Sequence, residues 1–297
     1  MRVFVTGASG FVGSAVVRDL LGAGHRVLGL VRSDEAAAAL KAQGAEAQRG
    51  TLEDLDSLRA GAVAADGVIH TAFNHDFSRF ADNCALDRRA IEALGETLKG
   101  SGRPLVVTAG LAHLVQGRPA LETDQPPVDP QAYPRVSEAT AMGFLSQGVR
   151  AMAVRLAPTT HGVGDHGFVP ALIRFAREAG FAAYVGDGQN RWSAVHRQDA
   201  AALFRLAVER GAAGARYHGA AEEGLPFKQI AEAIGRGLGL PVRSLTREEA
   251  AVHFKWLAGF AAMDMPASSA WTRGQLGWAP TGPGLMADLA GAGYFRD

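Results

Sequence analysis

Three glycines near the start of the sequence have the spacing of a phosphate-binding turn. In VFVTGASGFVGSAVVRDLL, Gly7, Gly10 and Gly13 lie between a strand-like segment and an amphipathic helix. The first glycine permits a tight turn, the second lets the backbone approach a pyrophosphate, and the third lets helix and strand pack closely. The N–H groups and the dipole at the start of the helix attract the phosphates. This context favours a dinucleotide-binding turn over a purely structural one. We assign to it Gly7, Ser9, Gly10, Phe11, Val12 and Gly13.

The end of the second predicted strand bears on the choice of cofactor. In HRVLGLVRS, the position at which an acid would bind the ribose 2′-hydroxyl holds Val31, followed by Arg32 and Ser33. A guanidinium and a hydroxyl suit a 2′-phosphate, so we predict NADP(H) as the cofactor, with Arg32 and Ser33 among its contacts. Asp34 and Glu35 follow closely, which keeps NAD(H) open as the alternative and Arg32 open as a solvated loop charge.

Histidines form a second group of candidates, because their pKa lies nearest to neutral pH. The segment THGVGDHGF contains His161, Asp165 and His166, and His113 lies further upstream. We take His161 and His113 first as alternative proton donors, and each could equally be a hydrogen-bonding structural residue. The residue types alone would allow a zinc site in this segment, but the spacing is not that of zinc sites, so we predict no metal.

A fold must position these residues, and the sequence predicts an α/β fold of the Rossmann type. From residue 1 to about 160, short apolar runs alternate with helical patterns, as in a doubly wound parallel sheet with helices on both faces. Runs such as VIHTA and PLVVT are apolar without alternation, as strands buried on both faces are. We expect strands at 2–6, 26–31, 67–71, 104–108 and 150–156, and helices at 12–21, 35–43, 54–60, 82–99 and 134–147.

The pattern changes after about residue 157. We assign residues 1–160 to a dinucleotide-binding domain, completed by parts of 190–220, and residues 161–190 and 220–297 to a smaller C-terminal substrate lobe. Later aromatic residues could line an apolar pocket or could equally form the core of that lobe. These are Phe168, Tyr184, Trp192, Phe254 and Trp256.

Composition excludes several classes of protein. The 297 residues carry thirty basic and thirty acidic side chains, which leaves no net field toward nucleic acid or an anionic membrane. No apolar run approaches the roughly 20 residues of a membrane span, and the first residues have the pattern of a strand rather than of a signal peptide. The single cysteine, Cys84, excludes an intrachain disulfide. We therefore expect a cytoplasmic protein with a small-molecule substrate and with neither a nucleic acid nor a membrane as partner.

The spacing TGASGFVG resembles that of the extended and atypical short-chain dehydrogenase/reductases, a superfamily that includes the NAD(P)-dependent epimerase/dehydratases. RGTLEDLDSL, VIHTAF, AVRLAPTTHG and RWSAVHRQDAA resemble later segments of the same family, so the resemblance covers most of the chain. It implies further contacts to the adenine, the middle of the dinucleotide and the nicotinamide. In chain order these contacts are Thr51, Leu52, Thr71, Ala72, Phe73 and Pro158.

The chemistry of that family uses a Ser or Thr, a Tyr, and a Lys four residues after the Tyr. The Tyr exchanges a proton at the substrate oxygen, and the charge of the Lys lowers the pKa of the Tyr. By resemblance, Tyr133 is the Tyr and Thr108 its hydroxyl partner. Four residues beyond Tyr133 stands Ser137, and no Lys occurs between Lys99 and Lys228. The family's catalytic Lys is therefore absent.

The missing Lys leaves two interpretations open. In the first, Tyr133 is still the proton donor and another cation supports it. Arg135 is nearest in sequence, although it should project differently from a residue four positions along, and a guanidinium cannot shuttle protons. In the second, Tyr133 is structural and the protein senses the NADP+/NADPH ratio without catalysis.

We predict an NADP(H)-dependent oxidoreductase acting on a small carbonyl or alcohol substrate, with a proton handled by Tyr133 or a histidine. The alternatives are an NAD(P)-dependent epimerase/dehydratase, which needs the same proton-handling groups, and the sensor. Members of the family often dimerise through the helices that are here predicted at 82–99 and 134–147, so a homodimer is one option. The charged run at 87–89 is equally compatible with a solvated face.

Overall fold

The ends of parallel strands create the crevice in which the predicted site residues lie. The computed structural model describes residues 1–112, 114–126, 133–291 and 293–295. Its strands are β1 (Arg2–Thr6), β2 (Arg26–Val31), β3 (Glu46–Arg49), β4 (Gly67–His70), β5 (Pro104–Gly110), β6 (Arg150–Leu156), β7 (Thr159–His161), β8 (Ala182–Val185), β9 (Arg191–His196), β10 (Arg216–Gly219), β11 (Glu222–Pro226) and β12 (Val242–Leu245). Within the described ranges, seven of them form a parallel sheet in the order β10-β6-β5-β4-β1-β2-β3. The order reverses between β1 and β4, and in such sheets ligands bind at the carboxyl ends of the strands beside this point.

Helices cover both faces of this sheet. The helices of the chain, including those of the second core described below, are α1 (Phe11–Gly22), α2 (Asp34–Ala42), α3 (Leu55–Val63), α4 (Phe80–Leu98), α5 (Ser137–Met142), α6 (Phe168–Ala179), α7 (Arg197–Arg210), α8 (Phe227–Leu238), α9 (Arg247–Phe254), α10 (Ala258–Ala261), α11 (Ala270–Leu276) and α12 (Leu285–Ala290). Val16 and Leu20 of α1 and Phe204 of α7 belong to the core on one face, and Leu58 of α3 and Leu94 of α4 to the core on the other. Strands buried on both faces explain the unbroken apolar runs, and the predicted Rossmann fold is confirmed.

A second hydrophobic core lies outside the seven-stranded sheet. It is built from α6, α8, α9, α10 and α12, with the small sheets β11-β9-β7 and β12-β8. Its largest members are Phe175, Trp192, Phe227, Phe254 and Leu285. Trp278 packs in the first core instead and donates its indole N–H to the Asp199 carbonyl at 2.9 Å. The assignment of 161–190 and 220–297 to a substrate lobe stays a prediction. No helix in the described part of the chain is both long and apolar enough to cross a membrane.

Two elements differ from those that the sequence predicts. β3 is an edge strand of sequence EAQR, and because its side chains are half-buried or exposed it lacks an apolar signature. The helix predicted from residue 134 begins only at Ser137 and ends at Met142. Gly143 follows, then a 3-10 turn at Leu145–Gln147. Residues 133–136 therefore precede the helix, which changes the direction in which their side chains project.

Candidate active site

The glycine-rich turn forms a cradle that side chains would fill. Gly7 has φ 67°, in the left-handed region, and a β-carbon there would lie 2.8 Å from the Ala72 nitrogen. A β-carbon on Gly13 would lie 2.0 Å from the Gly7 carbonyl oxygen. Gly10 precedes α1, and no side chain among the described residues caps the N–H groups of that helix. The turn thus fits a pyrophosphate, which would accept hydrogen bonds from these free N–H groups.

The predicted 2′-phosphate contacts lie at the ends of β2 and β3. Val31 is buried, whereas Arg32 and Ser33 are exposed. The Ser33 hydroxyl accepts the Ala36 N–H at 3.1 Å and caps α2. Asp34 lies 3.5 Å from Arg49, so its carboxylate faces a cation of its own.

The predicted adenine contacts follow β3 at the same edge. Thr51 and Leu52 are half-buried, and the Thr51 hydroxyl accepts the Asp54 N–H at 3.3 Å. Leu52 packs against the core beneath α3 and α4.

The segment after β4 lies against the glycine-rich turn. The Thr71 hydroxyl donates to the Thr6 carbonyl at 2.7 Å, and the Ala72 N–H donates to the Thr6 hydroxyl at 3.3 Å. The next residue, Phe73, is half-buried, and Pro158 follows β6 in a half-buried position. The structure therefore brings the strand ends that carry these predicted dinucleotide contacts to one edge of the sheet.

Tyr133 and Thr108 lie beside Arg135. The guanidinium of Arg135 donates to the Thr108 carbonyl at 3.3 Å and to the Ser137 hydroxyl at 3.2 Å, and it lies 4.2 Å from the centre of the Phe73 ring. Burial raises the pKa of the Tyr133 phenol, and the positive charge of Arg135 acts in the opposite direction. The Thr108 hydroxyl donates to the His70 carbonyl at 2.8 Å.

Ser137, in place of the family's Lys, begins a chain of buried hydrogen bonds. Its hydroxyl donates to one Asp87 oxygen at 2.5 Å, and the other oxygen lies 3.0 Å from the His70 Nε2. The His70 Nδ1 lies 2.8 Å from the Thr6 hydroxyl. Burial alone would raise the pKa of Asp87, but the hydrogen bond and charge of His70, with the charge of Arg135, hold that pKa below its ordinary value. A buried carboxylate that stays ionised needs partners; His70 and Ser137 contact Asp87 directly, and the charge of Arg135 acts on it without an ion-pair contact.

A second buried network fixes the start of α5. Glu138 accepts two hydrogen bonds from the guanidinium of Arg155, at 2.7 and 2.8 Å, and another from Arg216. Arg155 also contacts the Nε2 of His218 at 3.2 Å, and the Nδ1 of His218 lies 2.8 Å from the Ser268 carbonyl. Burial, and then the charge of Arg155, lower the pKa of His218 to about 3. The imidazole is therefore neutral, and the helix that carries Ser137 is anchored by a fixed ion pair.

Sequence reasoning missed Asp87, His70 and Glu138. One signal was available for His70: a lone imidazole in the apolar run VIHTA needs a buried partner. Asp87 carried no such signal, because its position in α4 matches a solvated charge equally well. Its partners are 17 and 50 residues away, so only the packed structure brings them together.

His161 lies in a different environment from Tyr133. The ring is fully buried, with Nδ1 2.6 Å from the Asp288 carboxylate and Nε2 4.0 Å from that of Glu222. Asp165 accepts the Tyr294 hydroxyl at 2.9 Å. These contacts join β7 and the following loop to α12 and the residues after it, which favours the structural role of His161. As a proton donor, His161 stays a prediction.

The remaining histidine candidates are His166 and His113. His166 is exposed and packs against Phe11 at 5.8 Å. His113 lies outside the described residues. Among the described residues, no His, Cys, Asp or Glu side chains are grouped so as to hold a metal ion.

Known proteins match this chain at the level of both sequence and structure. A sequence model of the NAD dependent epimerase/dehydratase family matches residues 3–105. An uncharacterized protein of Schizosaccharomyces pombe is 53% identical, over 99% of this chain and 100% of its own length. The 2-alkyl-3-oxoalkanoate reductase of Stenotrophomonas maltophilia is 30% identical, over 86% of this chain and 79% of its own. The dTDP-glucose 4,6-dehydratase of Streptomyces venezuelae, solved with NAD bound, shares the fold with a TM-score of 0.78 and 20% identity, over 98% and 96% of the two chains.

These matches extend the predicted resemblance to nearly the whole chain, and they agree with the cradle formed by the glycine-rich turn. The chain belongs to the NAD-dependent epimerase/dehydratase family of extended short-chain dehydrogenase/reductases, a family that depends on NAD(P).

Proposed function

We propose that the protein is an NADP(H)-dependent oxidoreductase that interconverts a small carbonyl compound and its alcohol. The observation that carries this proposal is the position of Arg135. Its guanidinium is held by the Thr108 carbonyl and the Ser137 hydroxyl, and its charge acts on the phenol of Tyr133. A cation at this point performs the electrostatic task that the family gives to Lys.

Tyr133, Arg135 and Thr108 have separate roles in the proposed reaction. When bound, the nicotinamide exchanges a hydride with the substrate carbon. Tyr133 donates a proton to the carbonyl oxygen during reduction and accepts it back during oxidation. Arg135 stabilises the phenolate that remains, and because a guanidinium stays protonated it does so without entering the proton transfer. The Thr108 hydroxyl donates to the His70 carbonyl, so it can orient the substrate carbonyl oxygen only when it rotates and donates to that oxygen instead.

The preference for NADP(H) rests on Arg32. Val31 occupies the position at which a carboxylate would bind the ribose 2′-hydroxyl, and its side chain is buried. Asp34, the nearest acid, lies 3.5 Å from Arg49 and so already faces a cation. No described residue lies within ion-pair distance of Arg32, so its guanidinium is available to a 2′-phosphate.

Carbonyl reduction also agrees with the relatives. The relative from Stenotrophomonas maltophilia bears the name of a reductase that acts on a 3-oxo group, and the match runs through the segment that holds Tyr133 and Arg135. A transient oxidation within an epimerase or dehydratase would need the same proton-handling groups.

Proton transfer by Tyr133 is tested with two matched variants. NADPH oxidation is followed over a panel of aldehydes and ketones with wild type, Tyr133→Phe and Tyr184→Phe. Tyr184 is also half-buried, but it lies in β8 of the second core, so the control loses a similar phenol elsewhere. We expect Tyr133→Phe to lower kcat by about 10²- to 10⁴-fold, as loss of a general acid does, and Tyr184→Phe to retain activity.

Calorimetric titration with NADPH and NADH separates the remaining outcomes. Tight NADPH binding without turnover of any carbonyl compound would favour the redox-sensor hypothesis over the enzyme. Turnover that survives Tyr133→Phe would remove Tyr133 from the mechanism. Binding of neither dinucleotide would overturn the cofactor assignment itself.

A further inference from the structure

Partly exposed aromatic rings continue outward from Tyr133. The ring of Phe80 lies 6.0 Å from that of Tyr133, and Phe73 and Phe77 lie 6.2 and 5.8 Å from Phe80. Phe77 in turn stacks on Trp256 at 4.5 Å, with 10° between the ring planes. We define the aromatic wall as Phe73, Phe77, Phe80, Phe168 and Trp256.

The wall is assembled from two separate parts of the chain. Phe73, Phe77 and Phe80 come from the segment between β4 and α4, on the Rossmann side. Phe168 begins α6 and Trp256 lies in the 3-10 turn after α9, on the side of the second core. Phe168 lies 5.9 Å from Trp256 and 6.3 Å from Phe77. The wall therefore spans the boundary between these two sides and reaches Tyr133 through Phe80.

The rings of the wall are not sealed in a core. Trp256 is 41% exposed, and the other four rings are half-buried. Exposed apolar surface next to polar catalytic groups marks a ligand site rather than a packing region. A purely structural cluster between two sides would bury its largest ring, as Trp192 is buried in the second core.

The backbone before Trp256 is strained. Lys255 has φ 51° and ψ −124°, and among the described residues it is the one non-glycine residue with positive φ. Such a conformation is unfavourable for a residue with a side chain and persists where the surroundings require it, often at ligand sites. Its ammonium is held 2.6 Å from Glu178. The strained residue directly precedes Trp256, whose indole stacks on Phe77.

Two cations near the wall are paired with carboxylates. Arg79 lies 3.2 Å from Asp82, and Lys255 pairs with Glu178. Arg135 is held by the Ser137 hydroxyl and the Thr108 carbonyl. An uncharged ring on the wall competes with none of these contacts.

We propose that the crevice takes a planar aromatic carbonyl compound, with its ring against Phe77, Phe80 and Trp256 and its carbonyl oxygen at Tyr133. The proposal rests on the proposed function for the carbonyl and on the aromatic wall for the ring. Ring pairs favour offset-stacked or edge-on contacts, which a saturated ring of the same size cannot make equally well. The wall thus determines specificity for the part of the substrate that does not react.

The test compares benzaldehyde with cyclohexanecarbaldehyde, which share a carbon skeleton and a carbonyl but differ in aromaticity. Conjugation makes benzaldehyde the less electrophilic of the two, so a preference for it cannot come from intrinsic reactivity. We expect its KM to be roughly five- to tenfold lower in wild type, the factor that one or two ring contacts contribute. The ratio should fall to near one in Trp256→Ala and in Phe77→Leu, which keeps an apolar side chain of similar size.

Trp271→Ala is the matched control. Trp271 is 42% exposed and stacks on Tyr217 at 5.6 Å, but it lies in α11, outside the wall. Equal KM values for the two aldehydes in wild type, or the same loss of the ratio in Trp271→Ala, would overturn the proposal.

A second measurement separates this proposal from the proposed function. If no carbonyl is reduced, binding of benzamide and cyclohexanecarboxamide to the NADPH-saturated protein is measured by calorimetry, since neither amide needs to react. Tighter binding of benzamide that depends on Trp256 and not on Trp271 would support the aromatic site although catalysis has failed. Equal binding of the two amides, or no binding of either, would refute it.

Discussion

Replacing Arg135 by Met should slow carbonyl reduction and raise the pKa of Tyr133, since Met has a similar length and no charge. As a scale for the effect of Arg135 on Tyr133, a unit charge contributes about 4 kcal/mol to a phenolate about 4 Å away at an effective dielectric of 20, and about half of that at about 8 Å. Two features of the site reduce this value. Tyr133 is only half-buried, so water screens the interaction. The negative charge of the ionised Asp87 also offsets part of the positive charge of Arg135. Taking about half of the full value leaves about 2 kcal/mol.

That energy has two measurable consequences. It corresponds to a rise in the pKa of Tyr133 and to a decrease of about tenfold to thirtyfold in kcat for reduction. In the oxidation direction Tyr133 must be ionised to accept a proton, so activity rises as pH passes through its pKa. Without Arg135 this limb of the pH profile should move to higher pH by the same amount, because the folded environment then disfavours the phenolate more strongly.

The assay measures kcat in both directions between pH 6 and 10.5 for wild type, Arg135→Met and Arg135→Lys. Since the pKa of Tyr133 lies above its ordinary value, this range covers the rising limb, and a shift of the limb to higher pH appears as a lower rate of oxidation at each pH. Arg135→Lys keeps the charge but loses the planar contact with Phe73, so it should retain most of the activity and an unshifted limb. Affinity for NADPH and thermal unfolding serve as controls for binding and folding. An unshifted pH profile in Arg135→Met, or an equal loss in both variants, would show that the charge of Arg135 does not act on Tyr133.

Three further predictions concern the cofactor site and the buried networks. Arg32→Ala should weaken NADPH binding about tenfold without affecting NADH binding. The control Arg26→Ala, at the other end of β2, should leave the affinity for both cofactors unchanged. Equal losses of affinity for both cofactors in Arg32→Ala would rule out a 2′-phosphate contact. Gly13→Ala should abolish dinucleotide binding, because its β-carbon would lie 2.0 Å from the Gly7 oxygen, whereas Gly22→Ala has open space and should bind normally. His218 has a pKa of about 3 in the folded protein, below its ordinary 6.5, so the imidazole takes up a proton when the protein unfolds below pH 6.5. The free energy of unfolding should therefore fall by about 1.4 kcal/mol for each pH unit below 6.5. Urea unfolding of His218→Gln between pH 7 and 4.5 should lack this part of the slope, and a slope equal to that of wild type would contradict a neutral buried imidazole.

Local patterns predicted the parts of the fold whose physical signal is local. The glycine spacing and the unbroken apolar runs located the turn before α1 and the inner strands of the sheet, since both follow from steric and burial requirements of neighbouring residues. β3 escaped prediction because an edge strand buries little. The direction of Arg135 was mispredicted because a helix was expected from Pro134, and a helical Arg135 would have pointed away from residue 137. Since α5 begins at Ser137, the guanidinium instead reaches the Ser137 hydroxyl.

The loss of the family's Lys is understandable once Asp87 is considered. An ammonium at position 137 would lie against the buried, ionised carboxylate of Asp87, and much of its charge would be neutralised inside the protein rather than act on Tyr133. A serine satisfies Asp87 with a neutral donor and accepts the N–H of Arg135 at the same oxygen. The positive charge then stands outside the buried pair, against Phe73 and toward the crevice.

This arrangement links the position of Arg135 to the segment after β4, which is predicted to contact the dinucleotide. From Ser137 the hydrogen bonds run through Asp87, His70 and Thr6 to the N–H of Ala72, the neighbour of Phe73. Contacts that order the segment after β4 therefore affect the hydrogen-bond network that positions Arg135. A helical Lys would be positioned by its own helix alone, whereas here the position of the cation depends on the segment over which the dinucleotide is proposed to lie.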